Sequence, residues 1–247
     1  MKRFLLFIVV AALASSCRSY DVYLLIGQSN MAGRGYLTAE DTTGTIDGVY
    51  LLNDKSKPEP ARHPLNRYST VRKDIKMQQI GPGGTFGEEM HRKTGRRILL
   101  VVNAKGGTSI KEWACGKILY TEAVKRCLEG MKYGKLKGIL WLQGCSDSSP
   151  KAVAEYPSRL VTLASSLRKD LGVEAGEVPF VAGQLPYWRD NSFEFNRMIT
   201  HISEWIPNSD WVSTEGCTMR KEKDDPHYSR EGQFIIGYRF AEKFNKQ

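Results

Sequence analysis

Five short, nearly continuous apolar runs set the frame of this chain. They are DVYLLIG (21–27), RRILLVVNA (96–104), LKGILWLQG (136–144), VPFVAGQL (178–185) and the weaker DWVSTEG (210–216). A run rich in Val, Ile and Leu with no polar alternation leaves no face for water, so such strands have to be covered on both sides. Segments of helical periodicity fall between them. TFGEEMHRKTG carries Thr85 and Glu88 at capping-box spacing and stops at Gly95. Amphipathic stretches follow at 117–132 and at 154–172, with Pro157 read as a first-turn residue, and further helical patterns at 191–205 and 230–244. The alternation predicts an α/β fold, a parallel sheet with helices on both faces. The segment 36–84, with Pro58, Pro60, Pro64 and the cluster Gly81-Pro82-Gly83-Gly84, breaks the rhythm and reads as one long irregular connection.

The first 17 residues stand apart from this pattern. Lys2 and Arg3 precede an apolar run from Phe4 to Leu13 and then small residues up to Cys17. That is the form of a secretory leader, too short to span a bilayer. Its end is similar to a loose bacterial lipobox, with Ala14 where Leu is usual, which would make Cys17 a lipid anchor. The expectation is an exported protein, periplasmic or on the cell surface, with residues 20–247 as a single domain. The formal charge of +9 is spread over small groups such as Arg92/Lys93/Arg96/Arg97 and Lys132/Lys135/Lys137. It forms no basic block and accompanies no nucleic-acid motif, so no nucleic-acid partner is expected. Cys115, Cys127, Cys145 and Cys217 lack CxxC spacing and a histidine cluster, which argues against zinc. A Cys145–Cys217 disulfide is a minor alternative to four free thiols.

Open parallel sheets bind ligands beyond the carboxyl ends of their strands. Polar residues and glycines gather there: Gly27-Gln28-Ser29-Asn30 after the first run, Asn103-Ala104-Lys105-Gly106-Gly107 after the second, Gln143-Gly144-Cys145 after the third, and Asp224-Asp225-Pro226-His227 after the fifth. A nucleophilic serine needs a base, an acid to orient the base, and donors for the oxyanion. Ser29 is the candidate nucleophile and His227 the candidate base, with Asp224 favoured over Asp225 as the orienting acid. Of the remaining histidines, His63 lies in the Pro-rich loop, and His91 and His201 lie within helical patterns.

GQSNMAG, NAKGGTSI, WLQG and DDPH, in this order, together resemble the SGNH-hydrolase superfamily. Within it they resemble the carbohydrate esterases that include sialate O-acetylesterases (the SASA domain) and family 6 acetylxylan esterases. The resemblance implies a three-layer α/β/α sandwich with a five-stranded parallel sheet and cofactor-free, metal-free removal of acetyl groups from sugars. It makes Ser29 the nucleophile, His227 the base and Asp224 its partner. The N–H of Ser29, the N–H of Gly107 (preferred to Gly106) and the Gln143 amide would form the oxyanion hole. Gln28, Arg34 and Trp113 are expected against the substrate, an acetylated oligo- or polysaccharide. A sialic acid O-acetylesterase is the alternative enzyme, and a non-catalytic glycan-binding lipoprotein the alternative of another class. One position departs from the pattern: Cys145 stands where relatives commonly carry Glu.

Overall fold

The computed structural model describes residues 19–222 and 225–244. The leader, Cys17 and Asp224 lie outside the described residues. Seven strands form one sheet: β1 (Tyr20–Gly27), β2 (Val49–Leu52), β3 (Pro58–Pro60), β4 (Ile98–Val102), β5 (Gly134–Leu142), β6 (Phe180–Gly183) and β7 (Ser209–Val212). Their spatial order is β3-β2-β4-β1-β5-β6-β7, and every pairing is parallel except the antiparallel edge strand β3. The five apolar runs become β1, β4, β5, β6 and β7. The two further strands come from the stretch read as irregular. Each is only three or four residues long, and β3 carries prolines at both ends. Proline removes a ladder donor and is tolerated at a sheet edge.

The helices are α1 (Ser29–Ala32), α2 (Ala39–Thr43), α3 (Gly83–Thr94), α4 (Ile118–Met131), α5 (Pro150–Asp170), α6 (Phe193–Ile199), α7 (Ile202–Trp205) and α8 (Arg230–Lys243). Strand side chains alternate between two cores, as a period of two requires. Val22, Leu24 and Ile26 face α4, α5, α6 and α7, with Trp113 and Trp141 edge-to-face at 5.3 Å. Tyr23 and Leu25 face α3 and α8, where Tyr23, Phe86 and Phe244 meet edge-to-face.

Helix starts differ from the sequence pattern in two places. α3 begins at Gly83 behind Pro82, and the Thr85/Glu88 box is not its cap. α5 begins at Pro150, with the Ser149 hydroxyl accepting from the Ala152 N–H, so Pro157 lies inside the helix. Proline at the first helical position is already shaped for the turn and gives up no bonded N–H.

The chain leaves β1, builds β2, β3 and β4 on one side of it, then crosses to β5 on the other side. The carboxyl end of β1 is therefore a topological switch point, where diverging connections open a crevice. The loop after β1 opens there.

Candidate active site

The turn after β1 is built for close approach. Gly27 has φ +139°, and a Cβ on it would lie 2.3 Å from the Leu142 carbonyl oxygen. Gln28 bridges the ends of β1 and β5: its N–H donates to Leu142 O at 3.0 Å, and its side-chain oxygen accepts from the Gly144 N–H at 3.0 Å. Gln28 thus lies at the cleft as expected, but its amide oxygen is committed to the frame. Ser29 is the first residue of the short α1, buried to 6% exposure at the cleft floor.

His227 arrives from the loop between β7 and α8. Its Nε2 lies 3.0 Å from Ser29 Oγ, and its Nδ1–H donates to Asp225 Oδ1 at 2.6 Å. The same carboxylate oxygen accepts the His227 backbone N–H at 3.1 Å. Among the described residues the carboxylate on the imidazole is that of Asp225; Asp224, favoured from spacing, lies outside them. Folding the Asp225 side chain back onto the N–H two residues on closes an Asx turn that brings the acid beside the ring. Asn30 fastens this loop on both sides of the histidine, donating to Pro226 O at 2.9 Å and accepting from the Tyr228 N–H at 3.4 Å. Trp188 Nε1 holds Asp225 O at 2.9 Å. Asn30 belongs to the quoted motif, yet its role depends on a contact 196 residues away and has no local sequence signal. Burial lowers the pKa of His227 below its ordinary value; Asp225 works against this, and the Arg34 and Arg220 cations add to it. A neutral imidazole beside a serine hydroxyl is ready to accept its proton.

Gly106 and Gly107 lie across from the serine. A Cβ on Gly106 would sit 2.7 Å from the Arg34 guanidinium and 3.3 Å from Ser29 Cβ. Gly107 is exposed in the cleft wall with φ +75°. Among the described residues no protein acceptor takes the N–H of Ser29, Gly106 or Gly107, which leaves these donors for an incoming oxygen. Gln143 is not brought to this group. It is 1% exposed, and its amide donates to Thr108 O at 2.8 Å and to Asp147 Oδ2 at 2.6 Å, while its oxygen accepts from Tyr156 OH at 2.8 Å. With both amide hydrogens engaged it is a structural tie. Asp147, read from sequence as a turn residue, completes that tie by accepting from the Ile110 N–H at 2.9 Å.

Arg34 lines the cleft while its guanidinium donates to Gly33 O and Met77 O at 2.6 and 2.7 Å; burial pulls its pKa down to about 10. Trp113 is fully buried, its Nε1 donating to Thr108 Oγ1 at 3.1 Å. It is a core residue and cannot meet substrate. His63 is buried against Gly84, and His91 and His201 make local contacts on the surface. Cys115, Cys127, Cys145 and Cys217, the cysteines among the described residues, are free thiols. Cys145 lines the cleft, its thiol pushed up to about 11 by burial and so uncharged near neutrality. Lys73 and Arg189 join Arg34 in the wall, and among the described residues no carboxylate is part of that lining. No group of metal-ligating side chains occurs among the described residues.

A hydroxyl on a neutral, carboxylate-oriented imidazole, facing open N–H groups, is an arrangement suited to acyl transfer. Comparison with known proteins agrees. A probable carbohydrate esterase of Arabidopsis thaliana is 28% identical over 239 residues, spanning 91% of this chain and 90% of that protein. The crystal structure of an Arabidopsis thaliana protein superposes with a TM-score of 0.80 at 26% identity, covering 92% of this chain and 98% of the other. NanS shares the fold at a TM-score of 0.70 and 16% identity, over 92% of this chain and 97% of its own. A carbohydrate acetylesterase from Xanthomonas citri does so at 0.60 and 14%, over 90% of this chain and 55% of its own. Residues 19–246 match the family model described as carbohydrate esterase, sialic acid-specific acetylesterase, and the chain belongs to that family.

Proposed function

We propose that this esterase removes O-acetyl groups from an acetylated sugar or polysaccharide through Ser29, His227 and Asp225. The observation that carries the reading is the continuous line from Asp225 Oδ1 through the imidazole to Ser29 Oγ, with contacts of 2.6 and 3.0 Å. His227 takes the hydroxyl proton as Ser29 Oγ attacks the acetyl carbonyl carbon. The tetrahedral oxyanion forms against the N–H groups of Ser29 and Gly107, each donor contributing about 3 kcal/mol in the transition state. His227 then gives its proton to the departing sugar oxygen, leaving acetyl-Ser29. A water deprotonated by the same ring attacks that ester and releases acetate. Asp225 holds the tautomer and stabilises the imidazolium. The chain's own residues supply each step of this route.

A second reading, an acetylated sugar that itself bears a carboxylate such as a sialic acid, is favoured by Arg34, Lys73 and Arg189 around the serine. Release of acetate from acetylated xylan and from O-acetyl sialic acid, by the signal-free protein and by Ser29→Ala at matched thermal stability, tests both readings. Activity on either substrate that vanishes in the variant supports the assignment and begins to name the sugar. Activity unchanged by the variant removes Ser29 from the mechanism. The proposed location is outside the cytoplasm, with the leader removed and Cys17 lipidated; membrane fractionation of the wild type and Cys17→Ala tests it.

A further inference from the structure

The cleft over Ser29 does not end at the catalytic group. Its cavity of about 320 Å³ meets, at Cys145 and Ser146, a larger groove of about 830 Å³. The groove runs between the start of α5 and the start of α6, lined by Ser148, Ser149, Asp190, Asn191, Phe193 and Glu194. The first cavity is near the lower limit for a small-molecule site and the second near the upper. Phe193 is the most exposed large hydrophobic residue described, at 72%. Phe193 lines both this groove and a further hollow that contains Tyr187, itself 45% exposed and tethered through its hydroxyl to the Gln184 side chain at 2.9 Å. Exposing a phenyl ring to water has a free-energy cost and adds nothing to the core here.

We propose that this groove is a subsite for the neighbouring sugars of an acetylated oligosaccharide, with the Phe193 ring as its stacking surface. The proposal rests on the esterase reading of Ser29. An aromatic face is negative at its centre and attracts the weakly positive C–H face of a pyranose. Ser149, Asp190, Asn191 and Glu194 share the groove lining with Phe193 and bring hydroxyl, carboxylate and amide groups that can accept from, and in part donate to, sugar hydroxyls. The charges divide the cleft. Around Ser29 the wall carries Arg34, Lys73 and Arg189, whereas the groove carries Asp190 and Glu194. The acidic groove disfavours an anionic residue, so its occupants are neutral sugars. The substrate is thus a chain whose acetylated member enters the catalytic recess and whose neighbours lie across Cys145 and Ser146 onto Phe193.

The test is a length series of acetylated xylo-oligosaccharides from one to six sugars, with 4-nitrophenyl acetate as a probe too small to reach the groove. In the wild type kcat/KM should climb with length. Phe193→Ala should flatten the climb, raising KM on the longer chains roughly five- to tenfold while leaving 4-nitrophenyl acetate hydrolysis unchanged. Phe193→Trp should restore the climb. A wild-type kcat/KM that is independent of length, zero activity on every oligosaccharide included, overturns the subsite, as does a climb that survives Phe193→Ala. Failure of the esterase reading itself is seen separately, as aryl-acetate hydrolysis that Ser29→Ala does not abolish.

Discussion

At the scale of single residues, two aspartates compete for one histidine. Asp224 and Asp225 are adjacent, and a spacing of two or three residues from His227 can bring either carboxylate to the ring. The structure puts Asp225 on Nδ1. Asp225→Asn should therefore lower kcat by about 10³–10⁴, because an amide leaves the imidazole in the wrong tautomer. Asp224→Asn should cost little. Steady-state kinetics of both variants on 4-nitrophenyl acetate check this, and the opposite ranking would return the role to Asp224. Other residue assignments were illegible for related reasons. Gln143 follows its strand as an oxyanion donor should, but only the fold reveals that Thr108 and Asp147 take both amide hydrogens. Trp113 stands near a glycine loop, yet nothing local says that its ring packs inward onto Trp141.

Among the elements, what could be read was what repeats over a whole segment. Four strands are legible as continuous apolar runs, and α4 by its periodicity. β2 and β3 did not, since a three- or four-residue strand holding prolines has the same local chemistry as a loop. The start of α5 is ambiguous in the sequence because two prolines, Pro150 and Pro157, both fit a first turn, and only the Ser149 cap settles which one does. The turn after β1 makes the sharpest element-scale test. Gly27→Ala places a methyl group 2.3 Å from the Leu142 carbonyl at a φ that L-residues avoid. We expect it to destabilise the fold by about 2 kcal/mol or more and to reduce turnover further, since Ser29 is two residues on. Urea unfolding and kinetics on the same preparation measure the two effects.

For the whole molecule, the sheet order places the three glycine-bearing loops and the histidine loop at one switch point, and the same burial that shapes the cleft sets its pH response. His227 is lowered from its ordinary value chiefly by burial, so it takes up a proton at a lower pH than an ordinary imidazole does. The acid limb of kcat/KM, which reports the free enzyme's base, should have its midpoint below 6.5. His63 is lowered by burial to about 4. Below pH 6.5 the unfolded chain binds a proton there that the folded chain does not, so stability should fall from pH 6.5 toward 4 and this contribution should then level off. Melting temperatures across that window, with His63→Asn removing the contribution, check the sign.

In the proposed mechanism His227 makes Ser29 the nucleophile. The most direct measurement is to inactivate the protein with a phosphonofluoridate, which reacts with activated serines, and to locate the adduct by peptide mass mapping. One adduct should form, on Ser29, at a rate that collapses in His227→Ala. An adduct on another residue, or on Ser29 at an undiminished rate in His227→Ala, would contradict it.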